Sequence, residues 1–107
     1  MTFEVFIISD AEEDLFNIFT YISHNDSNER AEYVFEKLKQ ACNTLSKFPE
    51  RGHRPPELDK LGIKDYLEIH FKPYRIIYQI DDDRVLIHCI LDGRRDLEDL
   101  LQLRLLK

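Results

Sequence analysis

The residues here with the clearest chemical potential are three arginines, Arg75, Arg94 and Arg95, together with Glu68 and His70. Guanidinium groups are planar forks that take phosphate or carboxylate oxygens two at a time. Arg75 sits in Tyr74-Arg75-Ile76-Ile77-Tyr78, a run with strand composition, and Arg94-Arg95 follow Gly93 at the exit of another apolar run. On a strand, side chains alternate between faces. Ile76, Tyr78 and Ile80 therefore share one side, and Arg75, Ile77 and Gln79 the other. The wholly apolar set is expected to meet the core, leaving Arg75 on the opposite face with Glu68 and His70 projecting toward it. One reading is a concave polar surface for a phosphate backbone or an acidic partner. The plainer reading pairs Arg75 with Asp96 or Glu68, holding strand to helix, and geometry alone favours it because structural ion pairs are common.

Other chemistries find less support. His24, His53 and His70 fall in a helix end, a loop and a strand, and adjacent His88 and Cys89 point to opposite faces, so no metal site is expected. Gly52, Gly62 and Gly93 are too scattered for a phosphate-cradling loop. Cys42 and Cys89 sit among apolar residues and read as reduced core thiols, not nucleophiles. No cofactor is expected.

The elements that must position these groups follow from periodicity. Residues 3–8, FEVFII, read as a strand with apolar groups on both faces, hence interior to a sheet. Ser9 and Glu12 have the spacing of a capping box, and Ala11, Leu15, Ile18, Phe19 and Ile22 make one apolar helix face. A second helix begins near Asp26-Ser27, with a stripe of Ala31, Val34, Phe35, Leu38, Ala41, Cys42 and Leu45. The two form an antiparallel hairpin that Pro49 stops, and residues 49–56, PERGHRPP, form a basic loop. From Tyr66 the period changes to two. Tyr66–Phe71, Tyr74–Ile80 and Arg84–Leu91 read as strands, with a turn at Lys72-Pro73 and a hairpin loop at Asp81-Asp82-Asp83. Asp96–Leu106 is a last amphipathic segment with Leu97, Leu100, Leu101 and Leu105 at helical spacing. The order β-α-α-β-β-β-α predicts an α+β two-layer sandwich, a helical hairpin on one face of an antiparallel sheet, in one domain over 1–107.

The chain has 107 residues and a net charge of −6. Residues 1–46 hold three basic and nine acidic side chains, whereas residues 47–107 hold twelve of each. That balance argues against a generic nucleic-acid binder, which would be basic. No leader-like start and no membrane-length apolar run is present, so a cytoplasmic protein is expected.

Four segments together resemble the RelE/ParE superfamily of bacterial toxins from toxin–antitoxin modules. They are Ala11-x-x-Asp14-Leu15-x-x-Ile18 with Tyr21-Ile22, then Leu45-x-x-Phe48-Pro49-x-x-Gly52, Tyr74-Arg75-Ile76-Ile77-Tyr78, and Gly93-Arg94-Arg95-Asp96. The match spans nearly the whole chain, and the element order agrees with that family's fold. The resemblance implies one of two targets, DNA gyrase for ParE-like members or mRNA in the ribosomal A site for RelE-like members. RNA-cutting members carry basic residues on the strand before the Tyr-Arg motif and often a late Tyr. Here Glu68 and His70 stand at those strand positions and Leu101 at the late one. The resemblance therefore favours a ParE-like gyrase inhibitor that catalyses no reaction, with Arg75, Arg94 and Arg95 as target-binding residues. The alternatives are a ribosome-dependent mRNA endonuclease using Arg75 and Arg95 with Glu68 or His70 as base and acid, and an inert binding module. It also implies a cognate antitoxin. Ile77, expected on the sheet face away from the helices, and Leu97 and Leu101, added by the C-terminal segment, mark where its anchors would land, because a monomer rarely leaves a large apolar patch bare.

Overall fold

The computed structural model describes residues 2–106. Strand β1 (Glu4–Ile7) leads into α1 (Ser9–Asn25) and α2 (Asn28–Thr44). A short helix α3 (Pro56–Asp59) precedes β2 (Leu67–Phe71), β3 (Tyr74–Asp81), β4 (Arg84–Asp92) and α4 (Glu98–Leu105). The sheet runs β1-β4-β3-β2. The β2–β3 and β3–β4 pairs are antiparallel, as tight turns require, but β1 lies parallel to β4, with Glu4 opposite Arg84 and Ile7 opposite Ile87. The sheet is therefore mixed, not purely antiparallel. The helical hairpin and two strands between β1 and β4 give the chain the length that a parallel return needs.

Residues 3–8 also depart from expectation, since β1 is an edge strand and leaves Phe6 partly in solvent. The Ser9/Glu12 capping box does not form. Ile8 is the N-cap of α1, and the Glu12 amide bonds the Ile8 carbonyl. At α2 the expected start holds, and the Ser27 hydroxyl accepts from the Arg30 amide. Helix α2 ends at Thr44, before Pro49, through a run of turns.

The main core lies between the hairpin and the sheet. Ala11, Leu15 and Ile22 of α1 and Val34, Leu38 and Cys42 of α2 meet Ile69, Ile76, Tyr78 and Ile87. Each large side chain so buried contributes about 1.5–3 kcal/mol. A second, smaller core covers the other face, where Leu58 of α3 and Leu101 of α4 pack with Ile77, Cys89, Leu91 and Leu97. A register shift in the β3–β4 ladder explains how β4 serves both. Ile77 opposes Cys89, while Tyr78 opposes Ile87, so His88 is extra. Beyond this bulge the alternation inverts, turning Ile90 to the main core and Cys89 and Leu91 to the second. Among the described residues, no helix is long and apolar enough to cross a membrane.

Candidate functional site

Arg75 points to the second face of the sheet, as the alternation predicts, but it is not open to solvent. Its Nη1 and Nη2 donate to Glu57 Oε2 and Oε1, each at 2.7 Å. Its Nε donates to Glu68 Oε1 at 2.6 Å and its Nη2 to Glu68 Oε2 at 3.0 Å. The Arg75 side chain is 12% exposed and that of Glu68 is 1% exposed. Hydrogen bonds from Arg75 hold the Glu57 carboxyl below its usual range, and the two carboxylates, Glu57 foremost, push the guanidinium further above its own. The pairing with Glu68 thus forms, whereas Asp96 turns to the Glu98 amide instead. Glu57 is the member that the sequence reading does not contain. Its only local signal is proline at the first turn of a helix, inside the segment read as loop. Gly93 completes the clamp, because a Cβ there would lie 2.9 Å from both Cγ and Cδ of Arg75.

Glu68 also gathers two histidines that the sequence placed in separate elements. His70, two residues along β2, shares its face, and His70 Nε2 lies 3.0 Å from Glu68 Oε1. His53 reaches it from the loop, which forms an antiparallel bridge to β2. The His53 amide bonds the Glu68 carbonyl at 3.1 Å, and the Glu68 amide bonds the His53 carbonyl at 2.7 Å. His53 Nε2 then stands 3.4 Å from Glu68 Oε2.

The Tyr78 hydroxyl pins the same loop, donating to the Pro49 carbonyl at 2.6 Å and accepting from the Gly52 amide at 3.1 Å. A Cβ on Gly52 would lie 2.5 Å from that hydroxyl oxygen and 2.6 Å from the Glu68 carbonyl oxygen. Two of the sequence motifs, Phe48-Pro49-x-x-Gly52 and Tyr74-Arg75-Ile76-Ile77-Tyr78, are therefore halves of one packing arrangement.

Arg94 and Arg95 occupy a different environment. Arg94 folds back on Asp92, donating from Nε at 3.0 Å and Nη2 at 2.7 Å, yet its side chain stays 72% exposed. Arg95 is exposed, and among the described residues no carboxylate pairs with it. Both line a groove of about 400 Å³ with Tyr21, Ile18 and Tyr74, between α1 and the end of β4. Nearby, Asp14 meets the Ile90 amide of β4 at 3.0 Å, where β1 has ended and left that edge unpaired. Arg104 of α4 donates to both Asp14 oxygens, at 3.1 and 2.9 Å, and to the His88 carbonyl at the bulge at 3.0 Å. This tie binds α4 to both α1 and β4.

Ile77, Leu97 and Leu101, expected as bare anchors for a partner, are fully buried in the second core. The chain's own α3 and α4 cover them, so that part of the expectation is corrected. Both cysteines are buried, and burial pushes each thiol up to about 12, which leaves them inert as nucleophiles.

Comparison with known proteins fits this architecture. The family described as "ParE toxin of type II toxin-antitoxin system, parDE" matches residues 5–97. Toxin ParE3 of Caulobacter vibrioides is 27% identical over 84 residues, covering 78% of this chain and 80% of that protein. Among solved structures, the chromosomal ParDE toxin–antitoxin system of P. aeruginosa superposes with a TM-score of 0.72 at 13% identity, covering 85% of this chain and 96% of that one. The RelBE2 toxin–antitoxin complex of Mycobacterium tuberculosis gives 0.56 at 21% identity, covering 86% and 99%.

Proposed function

We propose a function from one premise: the chain belongs to the ParE toxin family of type II toxin–antitoxin systems. It acts in the cytoplasm as a binding toxin that inhibits DNA gyrase, catalyses no reaction itself and is neutralised by a cognate antitoxin. The observation that carries the choice of target is the closed state of Arg75. RNA cleavage by 2′-hydroxyl attack needs a base, a leaving-group acid and cations free to meet the scissile phosphate. Here Glu57 and Glu68 take four of the five N–H donors of Arg75, and both Glu68 oxygens are engaged by Arg75. Of the three site arginines, Arg94 and Arg95, beside exposed Tyr21, are the two open to a macromolecular target. For the antitoxin, the fitting surface is the free β1 edge with Phe6 and Phe16, over a groove of about 710 Å³ that Phe19 and Phe35 also line. An open strand edge beside apolar groups suits an added strand or an amphipathic helix.

Purified protein mixed with gyrase and supercoiled DNA tests the reading. Inhibition of supercoiling or a trapped cleavage complex at micromolar toxin is expected, relieved by the antitoxin. Site-specific A-site cleavage in a translation extract would replace the gyrase reading with the endonuclease one. Neither activity would leave an inert binding module.

A further inference from the structure

We propose that His53, Glu68 and His70 form a divalent transition-metal site, with zinc as the fitting ion. Two imidazole nitrogens and a carboxylate oxygen lie within 4.8 Å of one another. Zinc bonds of about 2.0–2.1 Å in a tetrahedron place ligand atoms about 3.3–3.4 Å apart. The Glu68 carboxylate reaches both rings, Oε1 lying 3.0 Å from His70 Nε2 and Oε2 3.4 Å from His53 Nε2, so a small shift of the exposed rings would bring both nitrogens and one oxygen onto a single ion.

The site is built at the level of the backbone. Glu68 and His70 are fixed by the two-residue repeat of β2, and His53 is fixed by its paired backbone bonds to Glu68. Glu68 is locked from behind by Arg75. A carboxylate offers about four lone-pair positions. Arg75 takes one on each oxygen, and the remaining side of each oxygen faces an imidazole nitrogen. The local charge also favours a cation, because two carboxylates, Glu57 and Glu68, answer the single charge of Arg75. The histidine rings sit at the surface, 61% and 40% exposed, so the ion has an entry path and a fourth position open to water or an anionic oxygen. Imidazole and carboxylate together suit zinc better than magnesium or calcium, which prefer all-oxygen shells. Bound zinc would fasten the 49–56 loop to the edge of β2, a role that rests on neither gyrase inhibition nor RNA cleavage.

Untagged full-length protein titrated with zinc alone, against a chromogenic chelator, tests the site. About one equivalent of zinc is expected per chain. His53→Ala and His70→Ala should each weaken the affinity at least about 100-fold, the upper end of what loss of even a supporting partner costs. Both histidines are exposed, so these variants should fold, and melting curves without metal check that they do. The wild-type midpoint should rise with zinc, whereas that of the double variant should not. No stoichiometric uptake by the wild type, or uptake unchanged in the double variant, would overturn the assignment.

Discussion

Gly93 lies against the stem of Arg75, and two residues later Arg95 stands in solvent. The two arginines are neighbours in space with opposite surroundings. Arg75 has exchanged water for four hydrogen bonds to two carboxylates, one of them buried. Exposed Arg94 keeps a single partner, the half-buried Asp92, and Arg95 has none among the described residues. A buried charge is held by its partners and must be matched, whereas an exposed one is solvated and free to be used. The difference teaches that a family-typical arginine can be tied into the fold by carboxylates. Arg75 secures β3, β2 and α3 to each other, whereas Arg94 and Arg95 stand exposed at the end of β4.

The largest effect should come from breaking the closed side. Arg75→Ala leaves Glu68 buried without its cation, and losing one partner of a buried pair costs about 3–5 kcal/mol. Thermal and urea unfolding should show this loss, with a melting point lower by about 15 °C or more for a domain of this size. The double change Arg75→Met with Glu68→Leu should recover much of it, since apolar replacements of buried pairs are often neutral. A drop under about 1 kcal/mol for Arg75→Ala would erase the distinction between the two arginines.

A smaller effect is expected at the Asp14–Arg104 tie, which borders the open groove but is itself half-closed. Asp14→Ala removes the partner of Arg104 and leaves the Ile90 amide unpaired, for an expected cost of about 2–3 kcal/mol. Hydrogen exchange should quicken in α4 first, because Arg104 is its link to α1 and β4. Uniform quickening across the sheet would instead mean that α4 is held by the second core alone.

The contrast also marks what could be read from sequence. The stripe Ala31, Val34, Leu38 and Cys42 specified α2, and the alternation through Ile76 and Tyr78 put Arg75 on the correct face. Those signals are local and periodic. What the periodicity could not carry depends on distant chain segments. The parallel seat of β1 is decided by β4, some eighty residues away in register. The bulge at His88 inverts a pattern that looks regular in sequence, and so hides which of Cys89 and Ile90 faces which core. Helix α3 is four residues long, too short for any period, yet it supplies Glu57. His53 and His70 meet only because a loop folds back on β2. The Arg75–Glu68 pair across β3 and β2 was legible because both strands are periodic, whereas Glu57 and His53 arrive on a short helix and a loop that carry no period.

Acid should separate the two regions again, more gently. Glu57 titrates lower in the folded protein than the value of about 4.3 expected for an unfolded glutamate, so its contribution is present above that pH and lost as pH falls through the folded value. Glu57→Gln should flatten the decline of stability in that window. Asp92 is also held low by Arg94, but this pair is exposed, so Asp92→Asn should change the same curve less, and less still at high salt.

The smallest expected change in stability belongs to Arg95→Ala, and it is the sharpest test of the open side. The side chain is exposed and, among the described residues, unpaired, so its removal should cost within about 0.5 kcal/mol. If Arg95 meets the target, growth arrest on expression and gyrase inhibition in vitro should be strongly reduced at this nearly unchanged stability. Asp96→Ala is the matched control. Asp96 accepts a hydrogen bond from the Glu98 amide two residues on and does not pair with Arg95, so its loss should lower stability slightly, by the cost of one exposed hydrogen bond, and leave activity in place. Loss of stability in both variants by similar amounts would reveal an Arg95–Asp96 pair in solution and move Arg95 to the structural side. Full activity in Arg95→Ala would leave Arg94, with Tyr21 and Tyr74 beside it, as the cation of the groove, and Arg94→Ala would then be the variant that silences the toxin.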